Sequence, residues 1–205
     1  MNTHTQSILE DRVSVGRFDA DFEIADDDVR ELVRLATKAP SAFNLQNWHF
    51  VAVKSPEAKK KLQAVAYGQQ QIVEASVTFI LCGTLNSHRS LFGTLQASVD
   101  AGILPASLQR SWSDMASASH ENNPQLQRDE AIRSASLAAM ALLVAAKEMG
   151  YDAGAVGGFE VDGVARTFKL NQDQLPVVLI PIGRASDLNW PQKIRKPGSE
   201  ILEIL

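Results

Sequence analysis

The spacing of apolar residues predicts a chain that alternates helices with strands. After three aspartates at 26–28, apolar residues recur at helical spacing, and Pro40 ends this first helix. Trp48–Val53 is aromatic and β-branched, and residues 77–82 form a continuous apolar run, so both are predicted strands. The pattern predicts these further elements: a helix at 55–65, helices across 91–149 with breaks near Gly102 and at 117–124, a short strand at 151–156 and a short helix at 159–169.

The last third of the sequence completes the predicted architecture. Residues 131–149 are rich in alanine and serine and apolar on nearly every face, which is typical of a helix buried all round. The last strand is expected at 175–182, with Pro176 and Pro181 at its margins or on a sheet edge. The tail, 184–205, has too few apolar residues for its own core, so a partner subunit is a candidate to cover its end. Residues 1–205 are therefore predicted to form one α+β domain.

Composition removes several classes of function. The net charge is -4, and a protein that neutralises a polyanion needs the opposite sign. The single cysteine excludes an internal disulfide and a multi-thiolate metal site. The longest apolar-rich stretch, 134–146, is shorter than the roughly 18 residues of a membrane span, and residues 1–11 lack the layout of a secretory signal. We therefore expect a cytoplasmic protein that binds neither nucleic acid nor membrane.

A search for catalytic motifs mainly excludes familiar types of site. Gly154, Gly157 and Gly158 do not have dinucleotide-binding spacing, and they follow a helix instead of the first strand of a βαβ unit. The four histidines lack metal-ligand spacing, and none pairs with a thiol. Cys82 lies in an apolar strand and is interpreted as a buried core thiol.

Three polar segments remain as candidate sites. Residues 12–17 offer a guanidinium and a hydroxyl beside backbone amides, and Lys193 and Arg195 place two cations on one side of an extended segment. Together these groups would hold a phosphate, whereas either stretch taken alone favours the interpretation as a solvated basic surface. The loop 40–48 carries Ser, Asn and Gln beside two aromatic residues, and periodicity does not distinguish a binding loop from a capped surface turn.

The loop sequence also carries a resemblance. Residues 39–50, APSAFNLQNWHF, resemble the "APSxxNxQPW-aromatic" signature of the nitroreductase family of FMN flavoproteins. Three further segments resemble family motifs in the same order: Arg12-Val13-Ser14 the "R-x-S" phosphate motif, residues 155–159 the "P-x-x-G-F" turn, and Lys193-Ile194-Arg195 the "K-x-R" motif. The resemblance covers nearly the whole chain, from about Arg12 to Arg195.

This resemblance implies a mostly antiparallel sheet flanked by helices, in a homodimer whose C-terminal tails, about 184–205, wrap over the partner. Two FMN molecules would bind between the subunits. The residues implied to hold the phosphate are Arg12, Ser14, Lys193 and Arg195, and Val13 between the first two is also implied to bind the cofactor. Those implied to approach the flavin ring are Pro40, Ser41, Ala42 and Asn44 from the other subunit, and Gln71 at the pyrimidine edge with Gln69 as a weaker stand-in. The turn at Ala155 is also implied to bind the cofactor, and its Val156, Gly157 and Gly158 would offer backbone amides toward N5.

Three departures from the family pattern bear on chemistry. Gly16 and Gln71 stand where many members have a cation, and Gly157 and Ala155 replace a frequent Glu and Pro. A cation near N1 of the flavin stabilises the reduced anion, so we expect a lower reduction potential here unless Arg17 turns inward. Any contact with N5 must then come from the backbone.

The resemblance implies an oxidoreductase in which NADH or NADPH gives a hydride to FMN and a small flat acceptor, a nitroaromatic or a quinone, then takes it in a ping-pong cycle. No acid or base side chain is obligatory, so no catalytic residue is assigned. Phe43 and Tyr67 are expected on the walls of the substrate channel, and Trp112 is either a lid or a core residue. Two alternatives stay open: a flavoprotein of the same fold with oxygen-dependent or reductive dehalogenation chemistry, and a non-catalytic flavin-binding or redox-sensing protein.

Overall fold

A four-stranded antiparallel sheet forms the centre of the computed structural model, which describes residues 4–205. Its strands are β1 (Trp48–Val53), β2 (Val77–Thr84), β3 (Asp152–Ala153) and β4 (Gln174–Gly183), in the order β1-β2-β4-β3. The register pairs Phe50 with Leu81 and Phe79 with Ile180. Residues 1–3 of the predicted domain lie outside the described residues.

Helices cover both faces of this sheet, and the predicted α+β class is confirmed. They are α1 (His4–Asp11), α2 (Asp26–Ala36), α3 (Pro56–Ala64), α4 (Gln71–Glu74), α5 (Leu91–Asp100), α6 (Ala106–His120), α7 (Pro124–Glu148), α8 (Val161–Thr167) and α9 (Gly198–Ile201). Short 3-10 turns lie at Ala42–Asn44 and Ser87–Ser90. Helices α1, α4 and α9 were not predicted, because each is only one or two turns long and shows little periodicity.

Local signals fix where two helices begin. Ser55 Oγ accepts a hydrogen bond of 3.2 Å from the backbone N–H of Ala58, at the start of α3. Asn123 Oδ1 does the same for the N–H of Leu126, at 3.1 Å, at the start of α7. A proline follows each cap, in a position where its missing N–H costs no hydrogen bond.

The core has two layers, one on each face of the sheet. Phe79, Leu81 and Ile180 pack with α2 and α7 on one face, while Ile80 and Leu179 pack with α3 and α8 on the other. Successive side chains of a strand point to opposite faces, so β2 is apolar at most positions and fills both layers. This explains the continuous apolar run at 77–82.

One expectation about burial was wrong. The helix α7 is not buried all round, because Leu137 and Met140 keep 41% and 40% exposure on one face. Pro176 and Pro181 lie near the two ends of β4, as expected, and β3 pairs with β4 only at Ile182 and Gly183. The sheet accommodates Pro176 where the register shifts between Leu81 and Cys82, since a bulge relieves the ladder of a missing N–H.

The C-terminal tail lies on the surface of the chain. Residues 190–205 are all exposed, and Ile194 and Leu205 have no protein contact that shields them. Among residues 4–205, no helix has the length and apolar character required to cross a membrane.

Candidate functional site

A cavity of about 300 Å³ opens between the loop 12–17 and the segment 186–195. We call it the basic cavity; its lining residues are Ser14, Gly16, Arg17, Leu188, Asn189, Trp190 and Lys193. The loop is held against the sheet, since Ser14 bridges to Ala153 and the N–H of Val15 donates to the Ala153 carbonyl at 3.1 Å. The sheet thus places residues from both ends of the chain around one space.

Asn189 joins the two sides of the basic cavity. Its Oδ1 accepts from the backbone N–H groups of Gly16 and Arg17 at 2.9 and 3.0 Å. Its Nδ2 donates to the carbonyl oxygens of Arg17 and Ser186 at 2.7 and 2.8 Å. Sequence reasoning missed this residue, because a lone asparagine in a polar tail carries no pattern.

Cations near the basic cavity lack carboxylate partners within the described part of the chain. The Nε of Arg12 is buried without a hydrogen-bond partner. Lys193 lies with its Nζ 5.3 Å from the centroid of the Trp190 ring, and Arg195 donates only to the Lys193 carbonyl and to Gln192 Oε1, at 2.8 and 3.2 Å. Gln192 also donates to the Arg12 carbonyl at 2.8 Å, which ties the two basic segments together. An anion is the ligand that this arrangement suits, because a buried guanidinium atom without a partner is costly.

Arg17 differs from these cations because its charge is already paired. Its Nε and Nη2 donate to Glu74, with distances of 2.8 to 3.1 Å. These hydrogen bonds raise the pKa of Arg17 above its ordinary value. Glu74 also accepts from the backbone N–H of Phe18 at 3.1 Å. In the structure Arg17 is therefore an ion-pair partner of Glu74, and it does not turn inward as a free cation.

Two glutamines and a glycine turn form one wall beside the basic cavity. Gln71 Nε2 donates to Gln69 Oε1 at 3.1 Å, and Gln69 Nε2 donates to the Gly158 carbonyl at 2.7 Å. A Cβ on Gly154 would lie 2.4 Å from the Val15 carbonyl oxygen, so only glycine fits that close approach. Tyr67, in a left-handed conformation with φ of 54°, has its ring edge next to Gly158.

The amides of the glycine turn are only partly available. Val156 donates its N–H to the Leu179 carbonyl at 2.8 Å, and its side chain is buried. Among the described residues, the N–H groups of Gly157 and Gly158 have no acceptor, and Ala155 is exposed. The expectation that Val156 offers its amide was wrong, and the available donors are Gly157 and Gly158.

The loop 40–47 and Trp112 form a separate region, which we call the aromatic loop. The rings of Phe43 and Trp112 meet edge to face with their centroids 6.3 Å apart. They pack against a buried cluster of Leu45, Leu91 and Leu95. Non-glycine residues at 43, 44 and 46 have φ values of 52°, 58° and 48°, a strained backbone that is common at ligand sites. Ser41 holds the loop, since its Oγ accepts from the N–H of Gln46 at 2.9 Å.

The aromatic loop and the basic cavity are not joined within one chain. No hydrogen bond, ion pair or ring contact between them occurs in the part of the chain that the structure describes. Pro40 and Asn44 are exposed, while Ser41 and Ala42 are half-buried. The predicted site residues therefore fall into two groups. Ser14 and Lys193 line the basic cavity, Gln71 lies beside its Gly16, and the segments next to these contain Arg12, Val13, Arg195, Tyr67 and residues 155–158. The aromatic loop contains Pro40, Ser41, Ala42, Phe43 and Asn44.

The described residues do not favour a reactive thiol or a metal site. Cys82 is fully buried, and burial raises the pKa of its thiol to about 12, so it is interpreted as a core residue. Within residues 4–205, no cluster of three or more His, Cys, Asp or Glu side chains could hold a metal ion. A larger cavity of about 530 Å³ beside β1 contains none of the predicted site residues.

Comparisons with known proteins match nearly the whole chain. The model of the Nitroreductase family matches residues 9–184. The "Putative NAD(P)H nitroreductase YodC" of Bacillus subtilis is 38% identical, over 89% of this chain and 90% of that protein. The "CLA biosynthesis enone reductase" of Lactiplantibacillus plantarum is 31% identical, over 91% of this chain and 88% of that protein. A crystal structure of "a putative nitroreductase in complex with FMN" from Exiguobacterium sibiricum superposes with a TM-score of 0.91, at 27% identity, and covers 100% of this chain and 99% of that one.

Proposed function

Since this chain belongs to the nitroreductase family, we propose that it is an FMN-dependent oxidoreductase that uses NADH or NADPH to reduce nitroaromatics or quinones. The observation that carries the proposal is the cavity lined by Ser14 and Lys193, because Lys193 has no carboxylate partner in the described chain. Arg12, two residues before Ser14, has a buried Nε without a partner, and Arg195, two residues after Lys193, donates only to Lys193 and Gln192. A dianionic phosphate satisfies these groups together.

The cavity and its surroundings fit the rest of such a cofactor. A volume of about 300 Å³ is at the lower end of the range of ligand pockets. Ser14 adds a hydroxyl to the cations, and the N–H groups of Gly157 and Gly158 are free to donate toward the ring. When bound, FMN would accept a hydride from the nicotinamide and pass it to the second substrate. The residues of this chain bind and orient, and none acts as an obligatory acid or base.

We also propose a homodimer in which the aromatic loop of one subunit completes the basic cavity of the other. The separation of these two regions within one chain supports this arrangement. So do the exposed Leu137 and Met140 on α7 and the exposed apolar residues of the tail, 201–205. Phe43 and Tyr67 would then form walls of the substrate channel, above the flavin.

The oligomeric state has a direct test. Leu137→Asp places a charge on the exposed face of α7 and should convert a dimer to monomers in sedimentation velocity. Val161→Asp is the matched control, because Val161 is similarly exposed, at 39%, on α8. A wild-type chain that sediments as a monomer would overturn the dimer.

The activity has a separate test with purified, FMN-reconstituted protein. Mixing it anaerobically with NADH or NADPH should bleach the flavin absorbance, and a quinone or nitroaromatic should restore it. Persistent colour in an excess of both nicotinamides would instead indicate a non-catalytic flavin-binding or redox-sensing protein. Reoxidation by oxygen alone, with no organic acceptor reduced, would favour the same-fold chemistry that uses reduced flavin with oxygen.

An unsaturated carbonyl is a second class of acceptor to include. The named activity of the L. plantarum relative, enone reduction, supports this choice, and the packed aromatic pair Phe43 and Trp112 offers an apolar wall. If an enone restores the absorbance faster than quinones do, this class is the preferred acceptor.

A further inference from the structure

The relay from Gly158 through Gln69 to Gln71 has a fixed direction. The amide of Gln69 lies against two carbonyl oxygens, those of Ala66 at 2.9 Å and Gly158 at 2.7 Å, and only its NH2 group can donate to both. Its Oε1 must then face Gln71, whose NH2 donates to it at 3.1 Å. Because these hydrogen bonds need a donor and an acceptor at fixed places, neither amide can rotate to swap the positions of its nitrogen and oxygen.

This direction decides which atom Gln71 presents to the site. Because its NH2 is held by Gln69, its Oε1 points the other way, toward the glycines beside the basic cavity. Positions of a Cβ on Gly154 and on Gly16 would lie 3.6 and 4.0 Å from that oxygen. Gln71 therefore offers a hydrogen-bond acceptor on this wall, whereas an amide that could rotate would also be able to offer its NH2 group as a donor.

We propose that Gln69 is a positioning residue that fixes Gln71 as an acceptor toward the flavin and so keeps the reduction potential low. This proposal rests on the proposed function, since it concerns bound FMN. Oxidised flavin carries one ring N–H that an amide oxygen can accept from. The reduced ring gains negative charge, which an oxygen does not stabilise and an N–H donor does. Holding the oxygen in place therefore favours the oxidised form over the reduced one.

The charges around the relay support a local effect. Arg17, the cation next to Gly16, is paired with Glu74 and does not compensate. Among the described side chains that line the cavity, Lys193 is the other cation, and it lies with Trp190 in the tail segment. The amide of Gln71 is thus the adjustable polar group on the wall beside Gly16 and Gly154.

A double-mutant cycle tests the relay. Gln69→Met keeps the length of the side chain but cannot hydrogen-bond, so it frees the NH2 of Gln71 to turn. We expect the affinity for reduced flavin, relative to that for oxidised flavin, to rise about tenfold. This corresponds to a rise in the reduction potential of ~30 mV for the two-electron couple, which spectroelectrochemical titration measures. In a Gln71→Met background the same substitution should change the potential little, because the group through which it acts is gone. Gln70→Met is the control, since Gln70 is exposed and contacts Gln63.

Two outcomes overturn the proposal. Equal shifts of potential in both backgrounds would mean that Gln69 acts only by supporting the turn. In cofactor-free protein, Gln69→Met should move the side-chain NH2 signals of Gln71 in 1H–15N spectra, and unchanged signals would mean that the relay does not form. A chain that binds no FMN would overturn the proposed function instead, while the spectra still decide the relay.

Discussion

The basic cavity and the aromatic loop are built by different forces. Around the basic cavity, side-chain amides of Asn189, Gln69 and Gln192 bond to backbone groups from distant parts of the chain. The aromatic loop is held by apolar packing of Phe43 and Trp112 and by a backbone in left-handed conformations. Hydrogen bonds and charges specify a ligand group by group, whereas an apolar wall selects by shape and area. The first region is thus suited to hold one cofactor, and the second to admit a range of flat substrates.

The largest expected effect concerns Arg12. Arg12→Met should weaken FMN binding about 100-fold, since a hydrogen bond to a charged group contributes roughly 1.5–3 kcal/mol. The double variant Arg17→Met, Glu74→Gln is the matched control and should change the affinity by less than about threefold, because the ion pair that it removes carries no net charge. Fluorescence titration of FMN measures both. Equal losses in the two variants would contradict the assignment of Arg12.

The close approach of the loop 12–17 to the sheet predicts the next effect. Gly154→Ala places a Cβ 2.4 Å from the Val15 carbonyl oxygen, a backbone atom that cannot move away cheaply. We expect about 1–3 kcal/mol lower stability and a fall in Tm of about 2–4 °C for each kcal/mol.

Gly157→Ala is the control for this substitution. Its added methyl meets open space, so the stability of the cofactor-free protein should stay unchanged. Differential scanning fluorimetry without FMN compares the two variants. A Gly157→Ala chain as unstable as Gly154→Ala would show that the turn, and not the contact with Val15, sets the cost.

The two regions also differ in how far the sequence predicts them. Strands β1 and β2 and helices α2, α3 and α7 follow from periodicity and capping residues such as Ser55, because those signals are local. The segments proposed to bind phosphate were predicted from a resemblance, and the structure brings Ser14 and Lys193 to one cavity. Asn189, Gln69 and Glu74 could not be predicted, since their roles depend on backbone groups that only the fold brings near. The exposed face of α7 was missed for a related reason: an apolar surface looks the same whether its own chain or another covers it.

A crossed pair of tryptophan substitutions separates the functions of the two regions. Trp112→Leu should raise KM for the acceptor about three- to tenfold, since an aromatic contact contributes roughly 0.5–1.5 kcal/mol, and should leave the Kd of FMN unchanged. Trp190→Leu, in the basic cavity, should raise the Kd of FMN and leave KM for the acceptor unchanged. Steady-state kinetics and FMN titration on both variants measure this. If Trp112→Leu changes only stability, Trp112 is a core residue and not a lid.

The smallest effect lies where α6, which carries Trp112, ends. Glu121 accepts hydrogen bonds from Arg89 and from the ring of His88, which lower the pKa of its carboxyl to about 2. A carboxyl whose pKa falls on folding stabilises the protein above its unfolded value, about 4.3, and this stabilisation is lost as the pH falls from there to about 2. Urea midpoints should therefore decline more steeply over that range in the wild type than in Glu121→Gln, and Arg89→Gln should fall between them. Identical slopes would mean that this exposed cluster does not anchor α6, and the aromatic loop would then depend on apolar packing alone.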